Sequence, residues 1–192
     1  MNLKALTIAQ ACDRIASGEA VAFPTSCGYG FAMDPFLASA TALMAKLKPE
    51  RTNPVGLIAA SREQVDPLVL RWTSQGKQCA ELWPAELTLV LEAVADLPAM
   101  IVSPVGGVAV RVPADTSARE LARTYGGVLT ATSLNRSGQP TTKRPQDLVP
   151  FAHVLAGYIE GPTGDELPST LVDVLTEEPR ILRPGRVVLS WP

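Results

Sequence analysis

Leu129-Thr-Ala-Thr-Ser-Leu-Asn-Arg-Ser-Gly138 sets the terms for the whole chain. The apolar, β-branched run from Val128 to Ala131 reads as a strand, and it delivers Thr132, Ser133, Asn135 and Ser137 to its tip. Lys143 and Arg144 follow, and no carboxylate lies between Glu120 and Asp147. A strand end rich in hydroxyl and amide groups and stripped of negative charge suits a bound anion such as phosphate. Outward from this point the same pairing recurs. Ala20 to Phe23 runs into the loop Pro24-Thr-Ser-Cys-Gly-Tyr-Gly30, and Ser169-Thr170 precede the strand-like Leu171 to Leu175.

Helical spacing of Ile8, Ala11, Cys12 and Ile15, between Thr7 and Gly18, predicts a first helix. Ala40, Leu43, Met44 and Leu47 predict a second, broken at Pro49. Ser61 with Gln64 predicts a capping box, and Ser117 with Glu120 opens a helix that Gly126-Gly127 ends. The stretch Phe151 to Tyr158, which holds the only histidine, His153, also predicts a helix. Strands are expected at 20–23, where Pro24 stops the run, and at 55–60, 87–91, 108–112, 128–131, 171–175 and 186–189. Helices alternate with strands, yet strands follow one another directly near 87–112 and 171–189. The expectation is an α/β fold with a mixed, parallel and antiparallel, sheet flanked by helices. No repeat or linker-like stretch divides residues 1–192, so one domain is expected.

The composition, 46% hydrophobic and 19% charged, is that of an ordinary globular protein. No apolar run approaches the ~18 residues of a membrane span, and no secretory leader is visible, so a cytoplasmic setting without membrane contact is expected. Three widely spaced cysteines (Cys12, Cys27, Cys79) fit reducing conditions. The net charge is −2, but four basic residues and no acid lie between Leu121 and Gln146, and Arg180, Arg183 and Arg186 follow near the end. That distribution predicts a positive face suited to an anionic ligand or RNA. Nothing has zinc spacing, so no protein-held metal is expected. Cys27 has no placed base, so a charge clamp rather than a side-chain nucleophile is expected. Trp72 and Trp83 read as core.

Arg111 lies in the apolar strand Val108-Ala-Val-Arg-Val-Pro113, where a charge is costly unless a partner or ligand neutralises it. Arg183, in Leu182-Arg-Pro-Gly185, has a similar setting. Lys46, Lys48 and Arg51 place three cations within six residues, enough to grip a polyphosphate.

In order along the chain, seven motifs resemble the YrdC/TsaC family of threonylcarbamoyl-AMP synthases. They are the PT-x-x-x-YG loop (Pro24 to Gly30), the basic loop ending in Arg51, Trp83-Pro-x-x-Leu-Thr88, Ala109-Val-Arg-Val-Pro113, Thr132-Ser-x-Asn-x-Ser-Gly138, Ser169-Thr-x-Val-Asp173 and Leu182-Arg-Pro-Gly185. The resemblance implies a twisted α/β fold around a basic concave cavity. It also implies formation of threonylcarbamoyl-AMP and pyrophosphate from L-threonine, bicarbonate and ATP, with Mg²⁺ accompanying the nucleotide, for the t6A modification of tRNA. Carried over by position, Lys48, Arg51, Asn135, Lys143 and Arg183 would face ATP. Thr25, Cys27, Arg111, Ser133 and Ser169 would face threonine. Partners implied are proteins that transfer the group to tRNA, and tRNA or double-stranded RNA itself.

This sequence departs from the family pattern at Ser26-Cys27, at Pro49-Glu50, at Ala60, at Ala85-Glu86 and at Lys143. Its PT-Ser-Cys-Gly-Tyr loop leans toward the YciO-like paralogues. An alternative is therefore an RNA-binding YrdC/YciO-like paralogue without threonine-specific synthase activity.

Overall fold

Thr7 starts the first helix as its sequence dictates. Its hydroxyl accepts from the Gln10 amide at 3.2 Å, and the Gln10 side chain accepts from the Thr7 amide at 3.0 Å. The computed structural model describes residues 3–49, 53–114, 116–135, 141–164 and 166–189. Strand β1 (Ala5–Leu6) leads into helix α1 (Ile8–Ala16), β2 (Ala20–Thr25), β3 (Gly28–Ala32) and α2 (Ala38–Leu47). Then come β4 (Leu57–Ile58), α3 (Arg62–Val65), β5 (Val69–Arg71), α4 (Ser74–Ala80), β6 (Leu87–Ala93) and β7 (Gly107–Arg111). Helix α5 (Thr116–Tyr125) precedes β8 (Leu129–Thr130), β9 (Thr132–Ser133), β10 (Leu155–Ile159), β11 (Thr170–Asp173) and β12 (Arg180–Arg183).

These strands form two mixed sheets. The first has the order β1-β10-β2-β3-β9, and the second β12-β11-β6-β7-β4-β8, with β5 added against β6. Parallel pairs (β10 with β2, β11 with β6, β4 with β7) stand beside antiparallel ones (β2 with β3, β6 with β7). The segment 129–133 joins the two sheets: Leu129–Thr130 pair with β4 in the second, and Thr132–Ser133 pair with β3 in the first. Buried Thr130 fastens the crossing, its hydroxyl accepting from the Met33 amide at 2.9 Å.

Alternation along the strands divides the core. Tyr29, Phe31, Leu57, Leu89, Val110 and Val172 belong to the larger buried cluster. Val21, Phe23, Ala32, Ile58 and Leu129 turn the other way, to meet Ile15 of α1 and Leu121 of α5. Trp72 and Trp83 pack edge to face against the larger cluster but stay only partly buried.

Several expectations need correction. Pro24 does not end its strand. It lies in β2 opposite Tyr29, past the last residue that pairs with β10, so its missing N–H is not needed by the ladder. What read as a glycine-rich loop is a hairpin whose return strand is β3. Residues 151–158 do not form a helix. A 3₁₀ turn ends at Phe151, and Leu155 to Ile159 form β10, where Gly157 lets Leu6 of β1 approach so closely that a Cβ would sit 2.7 Å from it. The last strand is 180–183 rather than 186–189. Beyond Pro184 the chain is held instead by Thr170, whose hydroxyl bonds both the carbonyl and the amide of Val187. Gln64 accepts from the Ala60 amide at 2.7 Å, so the expected Ser61 capping box does not form.

Candidate functional site

Register places the chemistry. Across the second sheet, Arg111 of β7 lies opposite Thr88 of β6, Thr88 beside Leu171 of β11, and Leu171 opposite Arg183 of β12. Paired residues share a face, and this row lies on the face turned away from Val110, Leu89 and Val172, which enter the core. Arg111 therefore stands on the face of its sheet opposite the larger core cluster, in register with buried Ile58 of the second cluster, and the partner its strand demanded is Glu86, with which it forms an ion pair. The side chains are 15% and 5% exposed, so water screens the pair weakly. Sequence reading noted Glu86 only as a departure from the family pattern. No local signal marks Glu86, which precedes β6 and meets Arg111 only once β6 and β7 pair.

Ser169 ties the row together. Its hydroxyl shares a 2.7 Å hydrogen bond with Thr88, and Arg183 donates to its carbonyl at 2.9 Å and to its hydroxyl at 3.2 Å. Gly185 makes this closeness possible: a Cβ there would sit 2.2 Å from the Pro168 carbonyl oxygen and 2.5 Å from the Thr170 amide nitrogen. Arg183 keeps much of its surface open, yet protein packed round the guanidinium holds its pKa below the usual range, and the Arg111 charge adds to this. Cys27 acts in the opposite sense on Arg183, which brings the tip of the first hairpin to the same neighbourhood. That tip is internally fixed: Thr25 donates to the Gly28 carbonyl at 2.6 Å and accepts from the Cys27 amide, while the Cys27 thiol lies 3.4 Å from the Leu167 carbonyl. Arg111, Ser169 and Arg183 are thus linked across the second sheet, and the hairpin tip of the first sheet, with Thr25 and Cys27, reaches the Leu167 carbonyl beside them.

A second group forms at the end of β9. Lys48, the C-cap of α2, donates to the Asn135 carbonyl at 2.6 Å and to its side-chain oxygen at 2.5 Å, and Ser133 donates to the same oxygen at 2.8 Å. The 141–143 segment runs alongside, with the Thr142 amide bonded to the Leu134 carbonyl and its own carbonyl to the Tyr29 amide. Lys143 is held by its backbone, its carbonyl accepting from Thr163 at 2.6 Å. Arg51, Arg136, Ser137 and Gly138 lie outside the described residues. A cavity of about 830 Å³ opens beside this second group, between α2 and residues 94–104. Met44, Val55, Leu97 and Met100 make it largely apolar, and Lys48 alone of the described site candidates lines it.

Among the described residues, four cations of the two basic runs meet carboxylates. Arg123 pairs with Glu120, Arg144 with Asp147, Arg180 with Asp173 and Arg186 with Glu166. Exposed pairs of this kind contribute little to stability, but they reduce the local excess of positive charge. No helix among the described residues is long and apolar enough to cross a membrane. Among those residues no group of three His, Cys, Asp or Glu side chains is arranged to hold a metal.

Residues 13–185 match the Sua5/YciO/YrdC family, described as telomere recombination. The chain is 33% identical over 182 residues to a threonylcarbamoyl-AMP synthase of Vibrio cholerae, covering 92% of this chain and 96% of that protein. A threonylcarbamoyl-AMP synthase of Stenotrophomonas maltophilia is 32% identical over 84% of this chain and 90% of its own length. Among solved structures, P. abyssi Sua5 complexed with L-threonine superposes with a TM-score of 0.84 at 30% identity, over 93% of this chain. This chain spans about half of that protein, 54% of its length. E. coli YciO shares the fold, with a TM-score of 0.81 at 18% identity over 93% of this chain and 88% of its own. By sequence and by architecture, the chain belongs to the Sua5/YciO/YrdC family.

Proposed function

We infer that this chain is an L-threonylcarbamoyladenylate synthase, a nucleotidyltransferase acting as a single domain. It would join L-threonine, bicarbonate and ATP into threonylcarbamoyl-AMP and pyrophosphate for the t6A modification of tRNA. The observation that carries this reading is the row Arg111–Thr88–Leu171–Arg183, closed by Ser169, on the face of the second sheet opposite the larger core cluster. Two guanidinium groups and two hydroxyls on one rigid surface match a small carboxylate better than a nucleophile or a metal would. The synthase names of the bacterial relatives and the threonine bound by P. abyssi Sua5 support the same assignment.

In this reaction the threonine amine and bicarbonate give a carbamate with loss of water, a carbamate oxygen attacks the α-phosphate, and pyrophosphate leaves. Negative charge gathers on phosphoryl oxygens, so the protein's task is alignment and charge stabilisation rather than covalent chemistry. Arg111, Ser169, Thr25, Cys27 and Ser133 would hold threonine. Lys48, Asn135, Lys143 and Arg183, with Arg51, would hold the nucleotide, and Arg183 touches both sets through Ser169. Mg²⁺ is usually held by one or two carboxylates together with substrate phosphates. Here Glu86 is committed to Arg111, so Mg²⁺ enters as the chelate of ATP, as part of the substrate.

Pyrophosphate release tests the reading. With ATP and bicarbonate present, adding threonine should raise release well above the threonine-free control. Equal release in both would remove the synthase assignment, and RNA retention by the same inactive sample would favour the RNA-binding alternative.

A further inference from the structure

On the face of the second sheet opposite the larger core cluster, two arginines stand near one carboxylate. Arg111 turns a guanidinium nitrogen to Glu86, while Arg183 is occupied by neutral acceptors, the carbonyl and hydroxyl of Ser169. The acids next along cancel other cations: Asp173 pairs with Arg180, and Glu166, whose amide bonds the Ser26 carbonyl beside the hairpin tip, pairs with Arg186. Two guanidinium charges against the one carboxylate of Glu86 leave a single positive charge at the row. We propose that Glu86 is a specificity-determining residue: its fixed charge against Arg111 tunes the amino-acid pocket to a substrate whose side chain carries no carboxylate and disfavours one, such as aspartate, whose side chain does. This rests on reading Arg111 and Ser169 as the amino-acid side of the site.

The physical reason is repulsion in a poorly screened place. Glu86 is 5% exposed, so a second ligand carboxylate brought toward Arg111 would meet a like charge that water does little to damp. A ligand with one carboxylate can use the remaining positive charge, shared with Arg183, and put its neutral end elsewhere. Building such a repulsive element into a pocket is a general way to reject near-isosteric competitors. Replacing Glu86 by glutamine keeps the shape and an acceptor oxygen, and leaves the pocket with two positive charges.

Calorimetric binding of threonine and aspartate, close in size and differing in one carboxylate, provides the test, with propionate and succinate as a second pair. Wild-type protein should favour threonine over aspartate at least tenfold. Glu86→Gln should move that ratio toward aspartate at least tenfold, and Glu86→Asp, which keeps the charge, should retain the wild-type ratio. An unchanged ratio in Glu86→Gln, or a lost one in Glu86→Asp, would overturn the proposal. Should Glu86→Gln fail to fold, wild-type protein that binds the dicarboxylate of each pair as well as the monocarboxylate would overturn it equally. Threonine that does not bind, with propionate still preferred to succinate, would remove the threonine reading and leave the role of Glu86 standing.

Discussion

The two groups of polar side chains differ in what holds them. Arg111 and Thr88 ride on β7 and β6, each bonded to a strand on either side. Lys48 and Asn135 stand where regular structure has already ended, the first as the cap of α2 and the second beyond β9. The strand-borne group contains a buried ion pair, so it takes part in the energetics of folding. The second group, in which Asn135 gathers Lys48 and exposed Ser133, is attached to a fold completed elsewhere. Substitutions in the first should therefore change stability and binding together, and in the second binding alone.

The largest effect should come from Glu86→Ala. It leaves Arg111, 15% exposed, without its carboxylate, and breaking one side of a buried pair costs about 3–5 kcal/mol. For a chain of this size the melting temperature should fall by on the order of 10 °C, read by thermal unfolding. A loss no larger than that of an exposed ion pair would erase the distinction between the two regions. Next, Gly185→Ala should cost about 2 kcal/mol by overpacking, because the new Cβ meets backbone atoms of Pro168 and Thr170 rather than a movable side chain. Since Ser169 lies between them, threonine affinity should fall in the same variant, whereas a stability loss with affinity intact would uncouple the row from its support.

How much of this was legible in the sequence follows the range of the interactions. The Thr7 cap of α1 and the α5 stop at Gly126 depend on residues a few positions apart, and both formed as read. Arg111 was recognisable because an arginine in an apolar strand is costly without a partner. Its partner was not, since Glu86 meets it only through the β6–β7 register, 25 positions away. The β10 segment misled because Phe151, Val154, Leu155 and Tyr158 mimic helical spacing, while the burial that decides the matter alternates along the strand. The basic runs are partly offset by acids at their edges, Glu120 for Arg123 and Asp147 for Arg144, and by Asp173 and Glu166, which folding brings to Arg180 and Arg186.

Alkaline pH should separate core from site. Burial, with smaller contributions from Tyr158 and Glu160, raises the Tyr29 pKa, and burial with the Asp34 hydrogen bond raises that of Tyr125 strongly. The unfolded chain ionises near the ordinary tyrosine value of 10.0 while the folded chain still holds these protons. Above that pH the unfolded state binds fewer protons, so stability falls as pH rises, and below it the two states are alike. Burial raises the Cys12 and Cys79 thiols in the same sense, starting the decline near 9.0. Melting temperature should therefore decline from about pH 9 upward, and Tyr29→Phe should reduce the decline. Because the Tyr29 hydroxyl is buried without a hydrogen-bond partner among the described residues, that replacement should be neutral or slightly stabilising at pH 7. A steeper alkaline decline in Tyr29→Phe would contradict this account.

Ser133→Ala should have the smallest effect on the fold and still report on the site. The hydroxyl is exposed and donates to an amide oxygen that Lys48 also engages, and surface changes of this kind stay within about 0.5 kcal/mol. If the group at the end of β9 serves ligands rather than the fold, the KM for ATP or threonine should rise several-fold with the melting temperature unchanged. A fall in melting temperature comparable to that of Glu86→Ala would mean that the loop-borne group also carries folding energy. The contrast between the regions would then lie in their ligands alone.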